Sequence, residues 1–394
     1  MKIEIPDGVE RIIQKLNHQG YEAFAVGGCI RDTLLGREPK DWDITTSASP
    51  WQVKELFGRT IDTGIQHGTV TVMDGRTGYE VTTYRVDGEY EDGRHPKSVK
   101  FTSSLKEDLK RRDFTVNAMA YSHKRGLVDE FGGLKDLKSQ VIRCVGKPEE
   151  RFGEDALRML RAIRFSAQLD FSIDPGTWAA VKAVAPNLKK VSKERIQAEL
   201  TSLLLSPHPE RIELVYQAGL SPYVALSFHQ VIRSQLCIDP GLPAKKHIRW
   251  AVFLKDTEEE EAVEVLRELK LDNDTISRVR TLNRWICRQI PAGKVQIRWV
   301  MSQMEPSLFD DLLLLKKSLG QPWATEMKWL TEEIRKAGDC TSLKELAISG
   351  KDLLAAGMKP GKHVGEELNR LLGLVLERPE LNQKEILLHL AVLR

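Results

Sequence analysis

The stretch Glu22–Thr46, EAFAVGGCIRDTLLGREPKDWDITT, decides how this chain is read. Glu22–Val26 has the composition of a short buried strand and runs into Gly27-Gly28. Ile30–Leu35 then predicts a helix that Gly36 stops, and Asp41–Thr45 predicts a second strand. Asp41 and Asp43 stand at i and i+2, so on a strand their carboxylates share a face. Like charges that close repel unless a cation lies between them. A pair of magnesium ions suits oxygen ligands and leaves room for phosphate. The two glycines let backbone approach a triphosphate, and the following helix start faces its negative charge. Taken singly, a Gly-Gly is ordinarily a loop and an Asp-x-Asp a surface turn. Both in one α/β unit point to metal-dependent nucleotidyl transfer.

Upstream, Val9, Ile12, Ile13 and Leu16 recur at helical spacing, and Gly20 closes that helix. Downstream, Trp51–Phe57 reads as a helix after Pro50. Gly68–Met73 and Tyr79–Tyr84 are β-rich and flank Asp74-Gly75-Arg76-Thr77-Gly78, the pattern of a hairpin. Glu80 opens the far strand of that hairpin. A third carboxylate there would complete a metal site, take the proton of an attacking hydroxyl, or only face solvent, and the sequence leaves all three open. Arg85–Lys97 carries Gly88, Gly93 and Pro96 without an apolar pattern, which predicts a mobile loop before a strand at Val99–Phe101. From about Gly153 strand signals nearly vanish and helix follows helix. The expected fold class is α+β, a mixed-sheet N-terminal domain with an all-α remainder.

Two further segments carry chemistry. Arg111-Arg112-Asp113-Phe114-Thr115-Val116-Asn117 offers planar guanidinium groups for phosphate and Asp or Asn for ribose hydroxyls, although a helix end with surface arginines has the same composition. Asp155, Arg158, Arg161 and Arg164 recur every three residues, a stripe drifting about 60° per step around a helix. A carboxylate accepting from an amino group, beside an arginine donating to ring acceptors, can read a base edge. Most helices with this pattern carry a surface salt bridge instead.

Composition sets the outer bounds. Of 394 residues, 41% are hydrophobic and 29% charged, a globular balance that excludes disorder over the whole chain. No apolar run approaches the roughly 20 residues that span a bilayer, and the first residues lack a signal-peptide layout, so an unexported, cytoplasmic protein is expected. Cys29, Cys144, Cys237, Cys287 and Cys340 are odd in number and form no CxxC pair, which argues against a disulfide framework or a cysteine zinc site. Lys plus Arg totals 59 against 56 for Asp plus Glu, too small an excess to decide for or against a nucleic-acid partner.

Order and spacing decide what composition leaves open. AVGGCIRD, KDWDITTSA, TGIQHGTVTV, YEVTTYR, DGRHP, KRRDFTVNAMA, VDEFGGLKDL and ERFGEDALRMLRAIRFSAQL follow one another, with KVSKERIQAEL and ISGKDLLAAGMKPGKHVGEEL beyond them. Through these segments the chain resembles the class II CCA-adding enzymes, bacterial tRNA nucleotidyltransferases of the polymerase-β-like superfamily. The likeness is strong over residues 20–200 and looser beyond. It implies a catalytic head over 1–146, a neck that recognises the base over 147–215, a body over 216–295 and a tRNA-binding tail over 296–394. It implies that Asp41 and Asp43 hold the metal ions; Glu80, read from the hairpin alone, stays the third candidate for the catalytic set. Gly28 and Arg31 would contact the triphosphate, Arg112 would lie by the nucleotide, and Asp155 and Arg158 would select the base. Arg161 and Arg164 would support the nucleotide and its phosphates. The four domains would form a curved basic surface for tRNA, with Lys351, Lys359 and Lys362 of the tail segment Gly350–Leu368 on phosphates.

The activity so implied is template-independent addition of CCA to the 3′ end of tRNA from CTP and ATP, with no membrane or DNA partner. The nearest rivals are an A-adding or CC-adding split enzyme and a poly(A) polymerase. Asp92-Gly93-Arg94 is a pattern that, by the resemblance, CC-only members lack. A catalytically silent tRNA-binding protein would not need paired carboxylates beside a phosphate, and a small-molecule nucleotidyltransferase would leave the long helical remainder without a purpose.

Overall fold

Four consecutive buried residues, Ala23–Val26, form β1 and place it inside a mixed sheet rather than at its edge. The computed structural model describes residues 2–88, 99–231, 242–321 and 323–392. The other strands are β2 (Asp43–Thr46), β3 (Thr60–Gly64), β4 (Thr69–Asp74), β5 (Thr77–Thr83), β6 (Arg85–Asp87), β7 (Val99–Phe101), β8 (Met119–Ser122) and β9 (Gly126–Asp129). Seven of them form one sheet in the order β3-β4-β5-β2-β1-β8-β9. β2 and β5 run parallel, and the remaining neighbours are antiparallel. The hairpin β4–β5 forms as its turn residues predict, around Gly75 at φ 62°.

Along the chain to Leu204 the α-helices are α1 (Asp7–His18), α2 (Gly28–Leu34), α3 (Pro50–Leu56), α4 (Leu105–Lys110), α5 (Gly133–Lys138), α6 (Pro148–Glu154), α7 (Leu157–Leu169), α8 (Pro175–Ala183) and α9 (Lys193–Leu204). In α1 the predicted stripe of Val9, Ile12, Ile13 and Leu16 is buried. Pro50 starts α3, and Ser49 and Gln52 close a capping box at its N-terminus.

Two expectations need correction. Arg85–Lys97 is not loop throughout, because β6 pairs antiparallel with β7. This ribbon leaves Val86 38% and Phe101 48% exposed, so it has no buried face to imprint an alternating pattern on the sequence. Asp92, Gly93 and Arg94 lie outside the described residues. β8 was not anticipated as a strand either; all four of its residues are buried, so it too lacks alternation.

The chain forms two compact units, Met1–Gln230 with Glu268–Lys270, and Val231–Arg267 with Leu271–Arg394. The first holds the sheet and α1–α9, which is the expected mixed-sheet head followed by helices. The second is helical among the described residues, and none of its helices or those of the first unit is long and apolar enough to cross a membrane. The four-glutamate run Glu258–Glu261 leads into the helix Glu259–Glu268, and Glu259 is half-buried beneath Arg280 and Arg284. In the tail segment, helices Gly350–Ala355 and Lys362–Glu377 flank a turn, and Lys351, Lys359 and Lys362 are exposed.

A buried lysine organises the second unit. Lys316 is fully buried, and its Nζ donates to the carbonyls of Trp285 (2.6 Å), Ile286 (3.3 Å) and Arg288 (2.9 Å). Trp285 and Ile286 are carbonyls that the end of the helix Asn273–Ile286 leaves without intrahelical partners, and Arg288 lies just past its C-cap. Burial pushes Lys316 down to about 8, so it still carries its proton at neutral pH. Lys316→Met keeps the side chain's length and removes the donor. The orphaned carbonyls should then lower stability by about 3 kcal/mol, read as a shifted midpoint in urea denaturation of the full chain.

Candidate active site

β2 emerges from the sheet at its N-terminal end: Ile44, Thr45 and Thr46 are buried, while Asp43 is accessible. The strand starts at Asp43, so Asp41 and Trp42 precede it and the expected i, i+2 strand geometry does not hold. The carboxylate that shares Asp43's face is Glu80. Ile44 pairs with Val81 across the parallel strands β2 and β5, so the residues before each lie side by side on one face. The surrounding cleft walls remove water from the Asp43 carboxyl and raise its pKa above the ordinary value. Arg112 opposes this rise, and Glu80 and Asp41 add to it.

This carboxylate set suits a divalent cation, which would remove the repulsion now felt at Asp43. Among the described residues no group of three or more His, Cys, Asp and Glu side chains forms a ready cage. Magnesium fits such an incomplete set, since it binds through one or two carboxylates and takes its other ligands from phosphate and water.

Gly27 and Gly28 turn β1 into α2. Gly27 has φ 87°, and a Cβ there would lie 2.9 Å from Arg112 Nη1, so glycine is required by conformation and by space. Around Gly28 the nearest atom to such a Cβ is Arg31 Nη2 at 3.7 Å, which leaves its backbone approachable. Arg31 is held by Asp32 on one side and by the Asn117 Oδ1 on the other, at 2.6 Å.

Next to these glycines lies a cleft of about 480 Å³ whose lining includes seven arginines (Arg31, Arg111, Arg112, Arg158, Arg161, Arg164, Arg195) and three aspartates (Asp43, Asp113, Asp155). The surplus of guanidinium groups makes it a receptor for a polyanion. Acidic partners pin the arginines. Asp108, fully buried on α4, accepts from Arg111 at 2.9 Å, from Arg112 at 3.5 Å and from Thr45 of β2 at 3.1 Å. Asp113 accepts from Arg161 Nε and Nη2 at 2.8 and 2.6 Å, and Glu199 of α9 accepts from Arg164 at 2.5 Å. Asp43 lines this cleft and two others, one of about 610 Å³ with Asp41 and Glu80 and one of about 650 Å³ with Asp41, Arg31 and Arg164.

Asp155 and Arg158 both line the arginine cleft, yet they do not share a helix as expected. α6 ends at Glu154 and α7 begins at Leu157, and Asp155 sits between them in extended conformation, φ −141° and ψ 103°. Its Oδ1 accepts from Leu157 N at 3.0 Å, which satisfies a first-turn donor of α7. Its Oδ2 accepts from Arg195 Nη2 at 2.6 Å. Arg158 donates to Glu154 at 2.6 Å and to the carbonyls of Arg151 and Arg111. The stripe Arg158, Arg161 and Arg164 does lie along α7, with Phe165 among them.

All ten residues singled out from sequence thus fall on this one region: Asp41, Asp43 and Glu80 at the carboxylate end, and Gly28, Arg31, Arg112, Asp155, Arg158, Arg161 and Arg164 in the arginine cleft or beside it. Sequence reasoning missed Arg195 and Glu199. Both sit on α9 within KVSKERIQAEL, a segment whose charges look like an ordinary solvated helix face until the fold brings them onto Asp155 and Arg164.

Comparison with known proteins gives the same region a context. A family model described as the poly A polymerase head domain matches residues 23–143. A probable RNA- and SrmB-binding site of polymerase A matches 170–230, and a putative tRNA nucleotidyltransferase domain 2 matches 244–391. The chain is 38% identical over 403 residues to the CCA-adding enzyme of Ligilactobacillus salivarius, covering 98% of this chain and 96% of that one. It is 38% identical over 393 residues to the CCA-adding enzyme of Enterococcus faecalis, covering 96% and 94%. Among solved structures, the Bacillus stearothermophilus CCA-adding enzyme in complex with CTP superposes with a TM-score of 0.84 at 33% identity, over 99% of this chain and 98% of that one. The Thermotoga maritima CCA-adding enzyme complexed with tRNA, 22% identical with a TM-score of 0.66 over the whole of both chains, shares the fold.

The Asp113–Arg161 pair makes acid stability a test of the site. Burial alone would raise the Asp113 carboxyl, but Arg161, Asn117 and Arg158 outweigh it and hold it well below the ordinary range. A carboxyl depressed on folding contributes stability that is present above its unfolded pKa of about 4 and is lost as pH falls through the folded value. Asp113→Asn should lower stability at neutral pH by about 2 kcal/mol and flatten its dependence on pH below about 4, measured by thermal melts across an acid series.

Proposed function

The chain belongs to the CCA-adding enzymes, and from that premise we propose that it extends the 3′ end of tRNA with CMP, CMP and AMP, without a template, from CTP and ATP. The observation that carries this reading is the position of Asp43, which lines the arginine-rich cleft on one side and the Asp41–Glu80 cleft on the other. A nucleotide held by arginines and an RNA end approaching the carboxylates would meet there. The near-complete coverage of CCA-adding relatives favours this over a poly(A) polymerase, whose head domain model accounts for residues 23–143 alone. The expected division into head, neck, body and tail belongs to the same proposal, with the first two within the unit that holds the site.

In the reaction the terminal 3′-hydroxyl oxygen attacks the α-phosphorus, a new P–O bond forms, and the bond to the β-phosphate breaks to release pyrophosphate. Magnesium held by Asp41 and Asp43 would supply charge neutralisation at the phosphates. Glu80, beside Asp43 on one sheet face, would receive the hydroxyl proton. Gly28 gives backbone access to the triphosphate, and Arg31, Arg112, Arg161 and Arg164 bind it and oppose its charge. Asp155 and Arg158 read the base once they exchange Arg195 and Glu154 for the nucleotide. Cytosine and adenine each present an amino donor beside a ring acceptor, which a carboxylate and a guanidinium complement. Uracil and guanine place a carbonyl oxygen where the amino group should be, opposite the carboxylate. Such work on tRNA belongs in the cytoplasm.

The decisive assay incubates the protein with magnesium and tRNA ending at the discriminator base, at -C or at -CC, with each labelled nucleotide singly and together. Stepwise CMP, CMP and AMP addition is expected, whereas AMP addition to -CC alone would show an A-adding enzyme. In the same assay Asp43→Ala should abolish both CMP and AMP incorporation and leave tRNA binding in a filter assay nearly intact. Transfer at the wild-type rate would sink the metal assignment. Asp155→Ala should relax discrimination against UTP and GTP by about ten- to hundredfold, the scale of one lost charged hydrogen bond, when each competes with CTP. If Asp155 serves only its ion pair with Arg195, the variant will melt earlier but choose nucleotides as before.

A further inference from the structure

Three of the cleft arginines meet on one aromatic ring. The guanidinium carbon of Arg164 lies 4.0 Å from the Phe165 ring centroid, that of Arg31 lies 5.0 Å from it, and that of Arg161 5.2 Å. Arg31 comes from α2 at the Gly-Gly turn, whereas Arg161 and Arg164 come from α7, so the ring is the common surface between two elements that approach the site from different directions. Phe165 is 6% exposed and lines both the arginine cleft and the neighbouring cleft that reaches Asp41. Its own orientation is fixed by an edge-to-face contact with the fully buried Phe114, centroids 5.8 Å apart at 80°.

Three guanidinium groups around one ring repel each other. The electron-rich ring face lowers that repulsion, and it does so without consuming hydrogen-bond donors, as a carboxylate would. The donors that remain are informative. Arg164 spends Nε on Glu199 and Nη1 on Gln168, and among the described residues no hydrogen bond takes its Nη2. Arg161 spends Nε and Nη2 on Asp113, and its Nη1 has only the longer ion pair to Glu199 at 3.8 Å. Two donors on two arginines of one stripe are thereby left for a ligand with several anionic oxygens.

We propose that Phe165 is a positioning residue for the polyphosphate of the nucleotide and for the pyrophosphate product. Its ring holds Arg31, Arg161 and Arg164 at one spacing before any ligand arrives. The inference rests on the function proposed above and adds a residue without polar atoms to the binding machinery. It predicts that ring chemistry at position 165, rather than apolar volume, sets affinity for the phosphates, and that CTP and ATP depend on it alike, because the base is read elsewhere, by Asp155 ahead of the helix and Arg158 in its first turn.

The test compares wild type with Phe165→Leu, which keeps an apolar core side chain, and Phe165→Tyr, which keeps the ring. Binding of inorganic pyrophosphate with magnesium chloride is followed by calorimetry, and KM and kcat are measured for CTP on tRNA ending in -C and for ATP on tRNA ending in -CC. Phe165→Leu should weaken pyrophosphate and raise both KM values by about tenfold, with kcat changed by no more than about twofold, and Phe165→Tyr should stay near wild type. Should the leucine variant not fold, Phe165→Met carries the same expectation. Unchanged pyrophosphate affinity in the leucine variant overturns the proposal, as does equal weakening by leucine and tyrosine. A loss confined to kcat also overturns it, since that is the signature of a merely distorted site. Wild type that binds pyrophosphate in this ring-dependent way but adds no nucleotide to tRNA would refute the function and uphold the role of Phe165.

Discussion

Concentrated positive charge is the constraint on which this site depends. Seven guanidinium groups line one cleft, and none of them can be there without an arrangement that offsets its repulsion from the others. The fold solves this with acidic residues set behind the arginines: Asp108 under Arg111 and Arg112, Asp113 under Arg161, Glu199 under Arg164, Asp155 against Arg195 and Glu154 against Arg158. These partners come from α4, α6, α9 and the segments between them. The cleft is therefore a product of tertiary packing, and any element that shifted would leave a guanidinium uncompensated. Asp108 shows the reach of the scheme, because the same buried carboxylate also accepts from Thr45, two residues after Asp43 on the strand that carries the chemistry.

The opposite imbalance adjoins it, since Asp43 lines both the arginine cleft and the cleft with Asp41 and Glu80. At the N-terminal end of β2 the Asp43 carboxyl has a raised pKa, first from loss of water at the cleft walls and then from Glu80 and Asp41. A cation at the carboxylates and a polyanion among the arginines would each relieve the strain on its own side. A nucleoside triphosphate with its metal does both at once. Two adjacent charge imbalances thus favour a ligand that is itself a charge pair.

Much of this was legible in the sequence, and the limits have physical causes. The strand–Gly-Gly–helix unit, the hairpin and the arginine stripe are local patterns, and the structure forms them where periodicity and turn chemistry put them. β8 and β6 were not legible, one because both its faces are buried and the other because neither is, although its partner β7 was read as a strand at Val99–Phe101. Asp41 and Asp43 looked like a strand pair since two-residue spacing is all that a sequence displays, while the neighbour that shares Asp43's face, Glu80, is brought there by the parallel register of β2 and β5. Arg195 and Glu199 were missed for a related reason, their meaning lying wholly in what α9 packs against.

The gap between α6 and α7 has a mechanical consequence. Had one helix run through, Asp155 and Arg158 would be fixed at about 300° of rotation from each other, with no freedom to alter that angle short of unwinding a turn. With Asp155 on two residues of linking chain, its heading is decoupled from the phase of the stripe. The carboxylate is set instead by its own bonds to Leu157 N and Arg195 Nη2, while the arginines stay on their rod. One cleft thereby holds a carboxylate set by an ion pair to α9 beside a guanidinium set by the phase of α7, two groups whose headings answer to different elements.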